Sequence, residues 1–107
     1  MYQYNAKVKR VVDGDTVDFE VDLGFSVKIE IRGRLLNVDT PERGHPDWHL
    51  ATKTCANLLY ENSSVELSGE DEAINVVIYT QKTGKYGRWL VHIDGVNDEL
   101  AKVWPYE

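Results

Sequence analysis

From Thr16 to Arg32 the chain alternates almost without error. Val17, Phe19 and Val21 share one parity and Asp18, Glu20 and Asp22 the other; after a turn at 23–26, Val27, Ile29 and Ile31 alternate with Lys28, Glu30 and Arg32. A period of two marks a half-buried strand, so residues 16 to 32 are expected to form an antiparallel hairpin with its aliphatic side chains inside. The preceding stretch, Lys7-Val-Lys-Arg-Val-Val12, alternates into an apolar end and meets Asp13-Gly14, a strong turn dipeptide, which predicts a first strand over 7–12. Gly33 interrupts the pattern at an expected bulge or bend. Leu35, Leu36 and Val38 read as further strand residues. Pro41 lacks an N–H and biases Thr40 towards extended geometry, so this strand is expected to stop at about Asp39.

The period then changes. Trp48, Ala51, Cys55, Leu58 and Leu59 recur at helical spacing, which predicts a helix from about Trp48 to Asn62 with Asp47 as N-cap. A short strand over 65–67, an acidic loop over 69–72 expected to stay solvated, and strands over 74–80 and 89–93 follow. Between the last two lies a glycine-punctuated hairpin loop, Thr83 to Arg88. Asp94-Gly95 turns the chain, and Asn97 or Asp98 opens a short helix that Pro105 ends. Strands in antiparallel order with a helix after the third predict a single β-rich domain over 1–107. The expected fold is a five-stranded OB-fold barrel with one main helix and a short C-terminal helix. An immunoglobulin-like sandwich fits less well, since it needs seven strands and no helix.

Composition narrows the class. One domain fits in 107 residues, no apolar run reaches membrane-spanning length, and the start lacks the apolar core of a secretory signal, so an intracellular, soluble chain is expected. The single Cys55 forms no intramolecular disulfide. A net charge of -6 speaks at first against a polyanionic partner, but residues 47–80 hold one cation against six acids, leaving the remainder nearly balanced. An acidic far side with a mixed site face remains compatible with an anionic ligand, above all with a divalent cation present.

The candidate chemistry lies in three turn-bound segments. Arg34-Leu-Leu-Asn-Val-Asp-Thr-Pro-Glu42 delivers a cation and two carboxylates on a rigidified corner, where acids can converge on one metal or one water. The plain alternative is an ordinary turn, for which Asp-Thr-Pro-Glu has the right composition. Strict alternation also puts Arg34 and Asp39 on opposite faces, so the strand has to curl or end between them if both serve one site. Asp13-Gly-Asp15 and Lys85-Tyr-Gly-Arg88 are the other segments. His45, His49 and His92 lack spacing suited to zinc.

In order and spacing, Val12-Asp-Gly-Asp-Thr-Val17, the Arg34 to Glu42 unit and Lys85-Tyr-Gly-Arg-Trp-Leu90 resemble the staphylococcal nuclease (thermonuclease) family. The resemblance implies a Ca2+-dependent nuclease that hydrolyses phosphodiester bonds of DNA or RNA and leaves 3'-phosphates. It implies Asp15, Asp39 and the carbonyl of Thr40 as Ca2+ ligands, with oxygen donors suited to a hard cation. Glu42 is implied as the base or water-orienting group, and Arg34 and Arg88 as phosphate clamps. Lys85 and Tyr86 are implied as substrate contacts. A monomer is expected, with dimerisation as the alternative for so small a core. The other reading of the same barrel is a non-catalytic nucleic-acid or protein-binding module.

Overall fold

The computed structural model describes residues 2–68, 71–82 and 88–106. Among these the chain forms β1 (Tyr2–Asp13), β2 (Thr16–Asp22), β3 (Lys28–Leu35), α1 (Trp48–Glu61), β4 (Ser64–Ser68), β5 (Asp71–Lys82), β6 (Trp89–His92) and α2 (Asn97–Ala101). The sheet runs β1-β2-β3-β6-β5 and closes where β5 pairs back onto β1. This is a five-stranded OB-fold barrel, with β4 attached outside the ring along β5.

Closure depends on the length of β1. Its residues Tyr2 to Lys7 pair with β5 while Asn5 to Asp13 pair with β2, so the strand begins well before the expected residue 7. Two register shifts, between Val8 and Arg10 and between Val11 and Asp13, bend it around the barrel. The expected bulge at Gly33 is absent. Gly33 pairs in register with Val17 and, on the other side, with Trp89, where β3 and β6 run parallel instead of antiparallel. Its missing side chain answers a packing constraint: a Cβ there would stand 2.6 Å from Val91 Cγ2 and 3.2 Å from Phe19 Cε2.

Val17, Phe19, Val21, Leu35, Ile78, Val91 and Ile93 fill the interior, and α1 closes it with Ala51, Cys55 and Leu59. Each large aliphatic or aromatic side chain removed from water contributes about 1.5–3 kcal/mol before the entropy of ordering is counted. The alternation in β2 is read correctly throughout. In the return strand it is not: Val27, just before β3, and Ile29 are exposed and Ile31 is half-buried. The reason is geometric. β6 flanks β3 only from Gly33 to Leu35, so the hairpin arm around 23–29 projects beyond the closed part of the barrel.

Asp47 stands at the N-cap, but its carbonyl accepts from Ala51 N at 3.0 Å while its carboxylate makes no cap bond. β5 starts at Asp71, so the expected acidic loop is partly strand. Cys55 is fully enclosed, and burial pushes its thiol up to about 12. Among the described residues no helix is long and apolar enough to cross a membrane.

Gly33→Ala is expected to destabilise the barrel by about 1–3 kcal/mol, the usual range for forcing an extra methyl into a packed core. Urea unfolding would measure it, and a variant within 0.5 kcal/mol of the parent, about the scale of surface changes, would show that Val91 and Phe19 yield freely.

Candidate active site

The corner after β3 brings the acids together. β3 stops at Leu35, four residues before the expected end, and the chain turns at Leu36 and Asn37, with Asn37 left-handed at a φ of 64°. Asparagine tolerates this region better than most residues. The reversal resets the parity of the chain. Val38 is then buried, and Asp39 emerges on the side of Arg34, whose Nη2 lies 3.6 Å from Asp39 Oδ1.

Asp15 enters from the turn between β1 and β2. Arg34 Nη2 is 3.8 Å from its Oδ2, so both carboxylates lie within reach of one point, occupied by a guanidinium. Thr16 Oγ1 donates to Asp15 Oδ1 at 3.0 Å and Thr40 N to Asp15 Oδ2 at 3.3 Å. The turn's backbone is fixed as well, since Asp15 O accepts from Leu35 N at 2.7 Å. Gly14 makes this approach feasible: a Cβ on it would stand 2.8 Å from Thr40 Cγ2 and 3.0 Å from the Ala51 backbone.

Glu42 is exposed, and its carboxylate has no hydrogen-bond or ion-pair partner among the described residues. Arg88 is exposed just before β6. Asp15, Arg34, Asp39, Thr40, Glu42 and Arg88 line one cleft of about 490 Å³, with Arg10, Arg32 and Arg43 along its margin. All six are thereby gathered. Lys85 and Tyr86 lie outside the described residues. A larger groove of about 650 Å³, lined by Lys7, Asp22, Lys28, Asn62, Asn75 and Asp94 among others, contains no arginine.

Other contacts at the cleft were not read from the sequence. Tyr106 lies over Arg34, with Cζ 5.4 Å from the ring centroid. It is brought there by backbone bonds from Tyr106 N to Asn37 O and from Asp39 N to Trp104 O, beside a bridge between Val38 and Pro105. Trp48 Nε1 donates to Asp13 Oδ1 at 2.6 Å. Tryptophan one residue past a helix cap is a weak signal for such a bond, and its partner is 35 residues away.

The electrostatics are uneven. The Asp15 side chain is 12% exposed and that of Asp39 58%. Burial pushes the Asp15 carboxyl above its ordinary value; bonds from Thr16 and Thr40 and the Arg34 charge act downward without cancelling the rise. Thr40 Oγ1 is buried beside it with no partner among the described residues. A desolvated carboxylate, a second carboxylate within reach and an unmet hydroxyl are oxygen donors that fit a hard divalent cation completed by water. Among the described residues no three His, Cys, Asp or Glu side chains form a metal group by themselves, so a carbonyl or hydroxyl of Thr40 would be needed in the set.

No family model matches the chain. It is similar to Protein ParB of Escherichia coli, 29% identical over 99 residues that cover 92% of this chain and 46% of that protein. It is also similar to an uncharacterized protein of Methanocaldococcus jannaschii, 35% identical over 111 aligned residues covering 84% of this chain and 48% of the relative. The chain thus spans about half the length of the curated relatives it matches.

A raised native pKa on an acid means stability lost as pH climbs from the ordinary 3.8 through the raised value. Asp15→Asn keeps an acceptor and removes the buried charge. In chelator it is expected to melt above the parent at pH 7, by on the order of 1 kcal/mol, with the difference vanishing near about pH 3. A variant less stable than the parent at pH 7 would mean that the bonds from Thr16 and Thr40 outweigh desolvation.

Proposed function

We propose that the chain is a Ca2+-dependent nuclease, hydrolysing phosphodiester bonds of DNA or RNA and leaving 3'-phosphates. The observation that supports it most is the convergence of Asp15, Asp39, Arg34, Glu42 and Arg88 on one open cleft. The relatives' names state no reaction, so the proposal rests on the chemistry of this cleft together with the sequence resemblance.

Each side chain has a task that its position suits. Asp15 and Asp39, with Thr40, would hold the cation, which when bound supplies positive charge beside a phosphoryl oxygen. The Glu42 carboxylate has no partner among the described residues and is open to water, as a carboxylate must be to accept a proton from an attacking water or orient it. Arg34 and Arg88 offer guanidinium N–H donors to the non-bridging phosphate oxygens, and these bonds strengthen as negative charge accumulates at phosphorus. Polar walls and an open mouth suit a polymeric anion better than a small apolar ligand, which would be enclosed by hydrophobic groups.

Incubation with DNA and RNA, with Ca2+ or with chelator, tests the reading. Cleavage is expected with Ca2+ only, with 3'-phosphate ends. Glu42→Gln is expected to lower kcat by about 10²–10⁴-fold, the usual contribution of a positioned base, while KM changes little. Equal cleavage by Glu42→Gln removes Glu42 from that role. Binding of nucleic acid without cleavage would favour a binding module instead.

A further inference from the structure

Glu42 to Asp47 are all exposed, so no buried side chain pins this loop to the barrel. It is shaped internally. His45 N donates to Glu42 O at 3.0 Å around Gly44, whose φ of 100° suits the third position of a type II turn. Asp47 N donates to His45 Nδ1 at 3.0 Å and Trp48 N to His45 O at 3.1 Å. These bonds fix the loop's form and join its end to α1, but none reaches the turn that carries Asp15. Segments with few buried contacts open at low free energy, and a base displaced by about 1 Å can lose about 10²-fold in rate.

A tie to the barrel runs through Trp48. Its indole N–H donates to Asp13 Oδ1 at 2.6 Å, and Asp13 ends β1 two residues before Asp15. The guanidinium of Arg43, the residue after Glu42, lies 5.0 Å from the centre of the Trp48 rings. One side chain therefore grips the turn that carries Asp15 and the loop that carries Glu42. A bond to a carboxylate is among the stronger hydrogen bonds, and a cation over a tryptophan face is the best case of that contact.

We propose that Trp48 is a positioning residue: held by Asp13 and stacked against Arg43, it sets where Glu42 stands relative to the Asp15 and Asp39 pair. The catalytic part of this inference rests on the nuclease reading; the mechanical part does not. Trp48→Phe keeps a ring for Arg43 and deletes the indole donor, whereas Trp48→Leu deletes both contacts. Trp48 is only half-buried, and thermal melting checks that each variant folds.

At saturating Ca2+, kcat is expected to fall about tenfold in Trp48→Leu and less in Trp48→Phe, with KM within about twofold. Asp13→Ala combined with Trp48→Phe is expected to be no worse than the poorer single variant, since both remove one bond. Without Ca2+ or substrate, the amide order parameters of Arg43, Gly44 and His45 are expected to drop in Trp48→Leu from about 0.85, a rigid backbone, towards about 0.6. Unchanged kcat in both Trp48 variants overturns the proposal when the parent cleaves. If the parent cleaves nothing, the nuclease reading fails on its own, and unchanged order parameters overturn the clasp.

Discussion

Strand β3 carries Arg34, and alternation along an unbroken strand would send Asp39 to the far face of the sheet. The left-handed turn at Asn37 prevents this, and the amide of Asn97 holds the turn in place. Asn97 is buried; its Nδ2 donates to Leu36 O at 2.9 Å and to Val91 O at 3.0 Å, while its Oδ1 accepts from Ile93 N at 2.8 Å. One side chain thus meets three backbone groups from the end of β3, from β6 and from the turn after it. Each such group left unmet in the interior would cost about 1–3 kcal/mol. The C-terminal segment adds a second hold, with Asp39 N bonded to Trp104 O. The placement of an acid in the cleft therefore depends on a neutral amide with no chemical role of its own.

Stability and chemistry pull against each other at Asp15. The barrel gains from excluding water around Phe19, Leu35 and Leu59, and the same exclusion reaches Asp15 across the turn. Arg34 compensates only in part: at 3.8 Å its charge lowers the Asp15 carboxyl by less than desolvation raises it. The exposed pairs matter less. Arg32 with Asp18 and Lys102 with Glu99 lie in solvent, where such pairs contribute about 0–1 kcal/mol. An acid left short of positive charge is a weakness in a structural role and an asset where a cation is to be bound.

What the sequence could disclose follows from the range of each interaction. Alternation in β2 and the helical stripe through Ala51, Cys55 and Leu59 are local, and both elements lie where periodicity puts them. The hairpin arm defeats the same logic. Val27 and Ile29 carry the right pattern, but burial needs a neighbouring strand, and β6 is too short to provide one. Gly33 suggested a bend because glycine often marks one, whereas its cause is contact with Val91, 58 positions away in the chain. The acids, arginines and Glu42 were legible as residue types on turns. Their convergence was implied by the family resemblance alone; the means of it, the αL state of Asn37 and the bonds of Asn97, has no signal in composition or periodicity.

The cleft is divided mechanically. Asp15 sits on a turn that Gly14 packs to within van der Waals contact of Thr40 and Ala51, so its carboxylate has little room to shift. Asp39 is held through its own N–H, bonded to Trp104 O, and through the bond from Tyr106 N to Asn37 O two residues before it. Glu42 and Arg88, in contrast, are exposed residues of the cleft lining. A rigid acid pair suits the cation site proposed above, which needs a fixed geometry, whereas exposed groups stay accessible to a ligand that enters from solvent. The same barrel that forces Asp15 inward leaves Glu42 in water, and that difference in hydration suits the two carboxylates to the different parts proposed for them.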